Sequence, residues 1–221
     1  MNTTASKSAE NRQNGKHQVS GRRASILAAA ERLFLENGLE RTSMVDIAKS
    51  AGITKVTLYR YFADRDPIAA EIAAQMLMRI AAATNVQRQA LSLENLRELA
   101  QAMIRNFNCL REVYRYIGMF DQAYGDRYPN DTLAAWLEQH AFSPVSNGKS
   151  YQEIVWTLPQ GKQIVMILNA IMSFLERMAG RDESKSGAQA VPLEDQLNLF
   201  AEMVDVYFDR LMGPRRRSRP R

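Results

Sequence analysis

The chain has 221 residues, of which 46% are hydrophobic and 24% charged, and its formal net charge is +5. This composition is that of a globular protein long enough to bury a core, and no apolar run is long enough to span a bilayer. The single cysteine, Cys109, excludes an intrachain disulfide and a cysteine-based zinc site, and we expect it to be a small core residue. The modest positive charge suits an anionic partner, either a nucleic acid or an acidic membrane surface.

The N-terminal segment Met1–Gly21 is polar, contains several basic residues and has no apolar periodicity, so we expect a disordered basic tail. It contains no apolar signal core, and we therefore expect a cytoplasmic protein. A first helix is predicted from about Arg23 to Asn37, ending at Gly38. Its inner face holds Ile26, Ala30, Leu33 and Phe34.

Two short helices joined by a tight turn are predicted between Thr42 and Phe62. Ser43 and Asp46 are spaced as a variant of the capping box at the start of the first of them, and Gly52 supplies the left-handed residue that ends it. Thr54 caps the second helix. The apolar residues that point inward are Met44, Ile47, Ala48 and Ala51 on the first helix and Leu58 and Phe62 on the second.

The second of these short helices has an unusual outer face, on which Lys55, Val56, Tyr59 and Arg60 lie together. A solvated face normally carries Glu, Lys and Gln, whereas basic groups beside an aromatic and a small apolar group suit insertion into a major groove. Packing of the tyrosines at a helix–helix contact is the alternative. The two-helix geometry favours a helix-turn-helix.

The run TSMVDIAKSAGITKVTLYRYFADRD, within Ile26–Ile72, resembles the DNA-binding domain of the tetracycline-repressor (TetR) family. The matching features are Gly38, Thr42-Ser43, Ile47-Ala48, Ala51-Gly52-Ile53 and Leu58-Tyr59-x-Tyr61-Phe62. The resemblance covers the first third of the chain and implies a dimeric regulator of transcription. With the outer face just described, it predicts phosphate contacts by Thr42, Ser43, Tyr61 and Arg65, groove contacts by Lys55, Val56, Thr57, Tyr59 and Arg60, and a possible thymine-methyl contact by Met44.

The remaining predicted elements are all helical. A fourth helix, capped by Asp64 or Asp66, continues to about Ala83, and Pro67 suits its first turn. Two amphipathic helices follow, one from Leu93 to Phe107 and one from Cys109 to Tyr124. Then come a turn at 125–130, a helix with Leu133, Trp136 and Leu137, and a loop at 142–149.

The last two long helices are predicted at Gln163–Ala179 and Leu193–Met212. The first is apolar around most of its circumference, which indicates burial on two sides. A helix buried wholly in the protein's own core is the alternative, whereas the resemblance implies a homodimer joined by a four-helix bundle. The interface residues predicted on this basis are Ile164, Ile167, Leu168, Ile171, Leu197, Phe200, Val204 and Phe208.

The central helices are rich in aromatic and sulfur-containing side chains, and the resemblance implies a small-molecule effector pocket in this region. Core packing is the alternative for each of these residues. The pocket predicted here would be lined by Met103, Phe107, Tyr114, Phe120 and Trp136. The two histidines lack a second ligand at metal spacing, and no phosphate loop or nucleophile elbow is present, so we expect no metal, no cofactor and no enzyme activity.

The sequence therefore predicts an all-α protein with an N-terminal three-helix helix-turn-helix domain at 22–66 and a helical effector-binding and dimerisation domain at 67–212. Basic tails occupy 1–21 and 213–221. The expected function is that of a homodimeric repressor that binds a near-palindromic operator and is released by an unidentified small molecule. The alternative is a helical interaction or membrane-surface protein whose basic face binds acidic lipid.

Overall fold

The computed structural model describes residues 21–84, 93–124, 161–181 and 191–213, without the side chains of residues 161, 162, 164 and 165. These residues form eight helices and, within the described ranges, no strand. The all-α fold class predicted from the sequence is thereby confirmed. The chain divides into two compact units, Met1–Ala73 and Ala74–Arg221. The predicted domain boundary after residue 66 stays a prediction.

The first unit is built from three helices and the beginning of a fourth. They are α1 (residues 21–37), α2 (Met44–Ser50), α3 (Lys55–Tyr61) and the first half of α4 (Arg65–Thr84). The core contains Ile26, Ala30 and Phe34 of the inner face predicted for the first helix, whereas Leu33 is only half-buried and Leu27 is buried instead. Its most buried members include Ile26, Ala30, Phe34, Ile47, Leu58, Ile68 and Ile72.

Helix α4 begins where the sequence predicts. The backbone N–H of Asp66 donates to the Asp64 side chain at 2.9 Å, so Asp64 satisfies one of the free N–H groups of the first turn. The helix contributes residues to both units, and its buried stripe continues through Met76, Leu77 and Ile80.

The second unit contains α5 (Leu93–Arg105), α6 (Phe107–Tyr124), α7 (Gly161–Ala179) and α8 (Leu193–Met212). Helix α7 packs on α6, and α8 packs on α5. Arg97 of α5 donates to Asp205 at 2.6 Å and to Asp209 at 2.7 Å, which fixes α8 by charge-assisted hydrogen bonds. The hydrogen bond with Asp205 contributes most to raising the Arg97 pKa above its usual value.

Helices α7 and α8 also contact each other. The rings of Phe174 and Phe200 stack with 3.9 Å between their centroids, and the Tyr207 hydroxyl donates to the Gln163 carbonyl at 3.2 Å. Opposite α7, Gly118 of α6 allows a close approach, because a Cβ atom there would lie 3.2 Å from the Cβ of Glu176. Each of the last two helices therefore buries one face inside the chain itself.

Cys109 corrects a prediction made from the sequence. The thiol lies on the exposed side of α6 rather than in the core. The buried residues of that helix follow the phase of Leu110, Val113 and Ile117, and Cys109 is one position out of that phase. The predicted turn at 125–130, the helix around Trp136 and the loop at 142–149 lie outside the described residues. Within the described ranges, no helix is long and apolar enough to cross a membrane.

Candidate nucleic-acid interface

The start of α2 is fixed by reciprocal hydrogen bonds between Ser43 and Asp46. The Asp46 backbone N–H donates to Ser43 Oγ at 3.2 Å, and the Ser43 backbone N–H donates to Asp46 Oδ2 at 3.0 Å. The Ser43 hydroxyl also donates to Asp46 Oδ2 at 2.6 Å, and these bonds to Ser43 hold the Asp46 pKa below its usual range. The predicted capping box is therefore confirmed, and it sets the point at which the chain enters the two-helix motif.

The turn between α2 and α3 depends on Gly52, whose φ of +64° is in the left-handed region. The Gly52 N–H donates to the Lys49 carbonyl at 3.2 Å, and the Ile53 N–H donates to the Ala48 carbonyl at 3.0 Å. Thr54 then starts α3, because its Oγ1 accepts from the Thr57 N–H at 3.2 Å. The two helices are thus joined by a turn with little freedom to change their relative direction.

The outer side of α3 presents the four residues that the sequence placed together: Lys55, Val56, Tyr59 and Arg60, here called the groove face. Val56 is 82% exposed and Tyr59 is 45% exposed, whereas Leu58 on the opposite side is completely buried. The Lys55 ammonium lies 5.6 Å from the centroid of the Tyr59 ring, within the range of a cation–π contact. This surface combines two cations with apolar and aromatic groups suited to base edges.

The other residues predicted to touch DNA surround the groove face in different environments. Ser43 is exposed at the start of α2, and Met44 beside it is half-buried. Thr57 is half-buried, with its hydroxyl 2.9 Å from that of Thr54. The half-buried Tyr61 ring has the Arg60 guanidinium carbon 5.7 Å from its centroid.

Two residues expected to hold phosphates have their polar atoms bonded inside the first unit. Thr42 is 1% exposed, and its hydroxyl lies 2.9 Å from the Gly38 carbonyl and 3.3 Å from the Leu33 carbonyl. In this position the hydroxyl does not reach a phosphate. Arg65 donates from Nη1 to the Leu39 carbonyl at 2.8 Å and to the Glu40 carbonyl at 3.2 Å. Its first role is therefore to hold the loop between α1 and α2.

Two exposed residues near the start of α2 were missed by the sequence reasoning. Arg41 precedes the capping box, and Val45 is 53% exposed on the first turn of α2. The available signals were the charge of Arg41 and the position of Val45, which is out of phase with the buried Ile47 and Ala48. An exposed cation and an exposed apolar group at this point extend the surface around the groove face.

Residues 26–72 match the family described as bacterial regulatory proteins, tetR family. The matched range contains α2, the turn, the groove face and the start of α4. This part of the chain is therefore a DNA-binding domain of the tetR type. The resemblance predicted from the sequence is confirmed.

Curated tetR-family relatives match the same part of the chain. The HTH-type transcriptional repressor KstR2 of Mycobacterium tuberculosis is 40% identical over 55 residues, which are 25% of this chain and 28% of KstR2. The HTH-type transcriptional regulator TtgR of Pseudomonas putida is 43% identical over 47 residues, which are 21% of this chain and 22% of TtgR. The chain therefore spans only about a quarter of the length of these relatives.

Solved tetR-family structures are similar in fold over most of the chain. A regulator from Marinobacter aquaeolei has a TM-score of 0.57 at 18% identity, covering 87% of this chain and 97% of that one. A second, from Rhodococcus sp. RHA1, has a TM-score of 0.55 at 14% identity, covering 88% and 99%. At these identities the likeness concerns the fold alone: a helix-turn-helix domain followed by a helical domain.

The described residues predicted for a dimer interface are either buried or half-buried. Leu168, Ile171, Val204 and Phe208 are buried within the protomer. Ile167, Leu197 and Phe200 are half-buried, and the side chain of Ile164 lies outside the described residues. Among the described side chains, the large apolar residues exposed on α7 and α8 are others, namely Met166, Leu199, Met203 and Val206, at 71%, 59%, 60% and 69% exposure.

The residues predicted for an effector pocket lie in the core of the second unit, apart from Trp136, which is outside the described residues. Met103, Phe107, Tyr114 and Phe120 are all buried. The rings of Phe107 and Tyr114 stack with 6.0 Å between centroids, and the Tyr114 hydroxyl donates to the Met103 carbonyl at 3.2 Å. Burial raises the Tyr114 pKa well above its usual range, so this hydroxyl stays a hydrogen-bond donor.

Proposed function

We propose that the chain is a homodimeric repressor of transcription that binds a near-palindromic operator through α3 and is released from it by a small molecule. The observation that carries the proposal is the groove face: an 82% exposed valine and an exposed tyrosine between two cations on a helix held by a tetR-family turn. On this reading Lys55, Val56, Tyr59 and Arg60 contact base edges, with Thr57 and Met44 beside them. Ser43, Tyr61 and Arg65 serve the phosphate backbone.

DNA binding by the groove face would explain why Val56 and Tyr59 are exposed to water on this helix. In a major groove Val56 contacts a thymine methyl, and Tyr59 offers both a ring and a hydroxyl to neighbouring bases. Lys55 and Arg60 neutralise phosphates or read guanine. Acidic lipid would bind the same two cations through charge alone. A protein that binds lipid in this way would show no preference for one DNA sequence over another.

The direct test is selection of bound sequences from a random DNA pool by the full chain, followed by binding to anionic vesicles at the same salt concentration. We expect a near-palindromic sequence whose half-sites are one helical turn apart, roughly 34–36 Å. Tyr59→Ala should cost about 1–3 kcal/mol on the selected site and little on random DNA. Tyr59→Phe is the matched control that keeps the ring. Equal losses on both DNAs, or vesicle binding without any selected sequence, would refute base readout by α3.

Two helix-turn-helix units must be held together to read such a site, because one covers only a half-site. We propose that the exposed sides of α7 and α8 form the isologous contact between protomers. Leu199, Met203 and Val206 support this, since they are exposed apolar residues at i, i+4 and i+7 on α8. The buried Val204 and Phe208 then support the interface from beneath rather than forming it.

We further propose that the effector binds among the aromatic side chains of α5 and α6, near Met103, Phe107, Tyr114 and Phe120. An effector switches DNA binding only if the DNA-competent and incompetent shapes of the dimer bind it with different affinity. Helix α4 is the covalent connection between the two compact units, and a shift of it would change the separation of the two α3 helices. Coupling of about 1–3 kcal/mol would reduce operator affinity roughly 5- to 150-fold.

Reciprocity makes the effector proposal testable once a ligand is found. Operator DNA must weaken effector binding by the same factor by which the effector weakens operator binding. Calorimetric titrations of the effector, with and without the selected DNA, measure this factor. Identical affinities in the two titrations would leave a DNA-binding protein without a switch.

A further inference from the structure

Arg23, near the start of α1, lies where three elements of the first unit meet. Its Nε donates to Glu71 Oε1 of α4 at 3.1 Å, and its Nη2 donates to Glu71 Oε2. Its Nη1 donates to the backbone carbonyl of Tyr61, the last residue of α3, at 3.5 Å. The guanidinium carbon also lies 4.3 Å from the centroid of the Phe62 ring. One side chain thus contacts α4, the end of α3 and the residue that follows α3.

The end of α3 needs such a partner. The helix has only seven residues, and the carbonyls of its last turn have no partners within the helix. A cation at the C-terminus of a helix is favoured by the helix dipole, and hydrogen bonding to a carbonyl there satisfies one of the orphaned acceptors. The start of α3 is fixed by Thr54, whereas Arg23 acts at its other end, one residue beyond Arg60 of the groove face.

The guanidinium of Arg23 is hydrogen-bonded inside the first unit, which argues against a direct DNA contact. Its fork is bidentate to Glu71, which fixes the guanidinium plane while the remaining Nη1 donor faces the Tyr61 carbonyl. The side chains of Arg23 and Glu71 are 42% and 31% exposed, so the hydrogen bonds of the guanidinium, rather than its burial, keep it from DNA. A lysine in place of Arg23 would keep the charge but could not reproduce this planar fork.

We propose that Arg23 is a positioning residue for DNA recognition: it joins the C-terminal end of α3 to α4 and so sets the angle at which the groove face meets the bases. This inference rests on the proposed function. Base contacts depend steeply on angle and distance, whereas attraction to the phosphate backbone does not. Loss of the Arg23 contacts should therefore weaken binding to the operator more than binding to random DNA.

The test compares Arg23→Lys, Glu71→Gln and the control Arg32→Lys in the full chain. Arg32 is on the same helix, pairs with Glu36 of α1 at 3.2 Å and donates to Ser50 of α2 at 2.8 Å, so these partners lie outside α3. Dissociation constants are measured for the selected DNA and for random DNA of equal length, with circular dichroism and a melting curve for each variant. We expect Arg23→Lys to lower the specific-to-random affinity ratio roughly fivefold or more, the lower end of one base contact. Arg32→Lys should leave the ratio unchanged.

The possible results distinguish the roles of Arg23. An unchanged ratio for Arg23→Lys, with or without a lower melting temperature, would overturn the positioning role and leave only a structural one. Parallel loss of both affinities at an unchanged melting temperature would also overturn it and would identify a phosphate contact, since lysine keeps the charge but not the planar fork. If Arg23→Lys does not fold, Glu71→Gln decides, since it leaves the arginine and removes its charged partner. A wild-type chain that selects no DNA sequence would refute the proposed function itself, whereas a selective wild type with unchanged variants refutes only this inference.

Discussion

A charge placed at Met203 should dissociate the proposed dimer. The side chains of Met203, Leu199 and Val206 are 60%, 59% and 69% exposed. More than half of the surface of each can therefore still be buried against a partner. Full burial of such a side chain contributes about 1.5–3 kcal/mol, which leaves roughly 1–2 kcal/mol for each of them. Met203→Glu removes this contribution in both protomers and forces two carboxylates out of water. The loss should be at least about 3 kcal/mol, or roughly a hundredfold in the dimer dissociation constant.

Sedimentation velocity over a series of protein concentrations measures this change. Met78→Glu is the matched control, because Met78 is 45% exposed and receives the same substitution on α4 rather than on α7 or α8. Circular dichroism should show both variants folded, since neither side chain is buried. A dissociation constant for Met203→Glu within threefold of the wild-type value would show that this side of α8 is not the interface.

Two further changes test other parts of the molecule. Arg65→Ala should lower the free energy of unfolding by about 1–2 kcal/mol in urea denaturation, because the Leu39 and Glu40 carbonyls lose a charged donor; unchanged stability with weaker DNA binding would assign Arg65 to phosphate alone. Burial, with a smaller effect from the Asp121 charge, raises the Glu176 pKa from 4.5 to about 7. The folded state therefore holds a proton that the unfolded state releases, so this group makes stability fall as pH rises from about 4.5 to about 7. Glu176→Gln should be nearly neutral at pH 4 and stabilising by up to about 3 kcal/mol at pH 8. Equal effects of Glu176→Gln at both pH values would refute the burial of an uncompensated carboxyl.

Most of the helices could be predicted from the sequence because their signals are local. The Ser43 capping box, the left-handed Gly52 and the apolar phase of Leu58 and Phe62 depend on residues within a few positions of one another. The boundaries of α8 could be predicted for the same reason, since an apolar stripe begins after Pro192 and ends before Gly213. The groove face followed by elimination, as what remained once the buried side of α3 was assigned.

The roles that depend on distant residues could not be predicted in this way. Thr42 and Arg65 were predicted as phosphate ligands from the resemblance, but the contacts that they make inside the fold were not predicted. Their partners are backbone carbonyls of α1 and the following loop, and sequence alone does not show which carbonyls come near. The contact of Arg23 with Glu71 spans 48 positions and has no motif. Likewise, apolar periodicity indicated that α8 is buried, but it did not distinguish the side facing α5 from the side left exposed.

The exposed thiol of Cys109 gives the chain a natural attachment point for a spectroscopic reporter. Because the sequence contains one cysteine, a maleimide dye or nitroxide would label each protomer once, without any substitution. In a symmetric dimer the two labels are related by the two-fold axis, so a single distance distribution describes the pair. The distribution could be recorded for the free protein, with operator DNA and with candidate effectors. A compound that changes the distance between the two labels would be a candidate for the proposed effector.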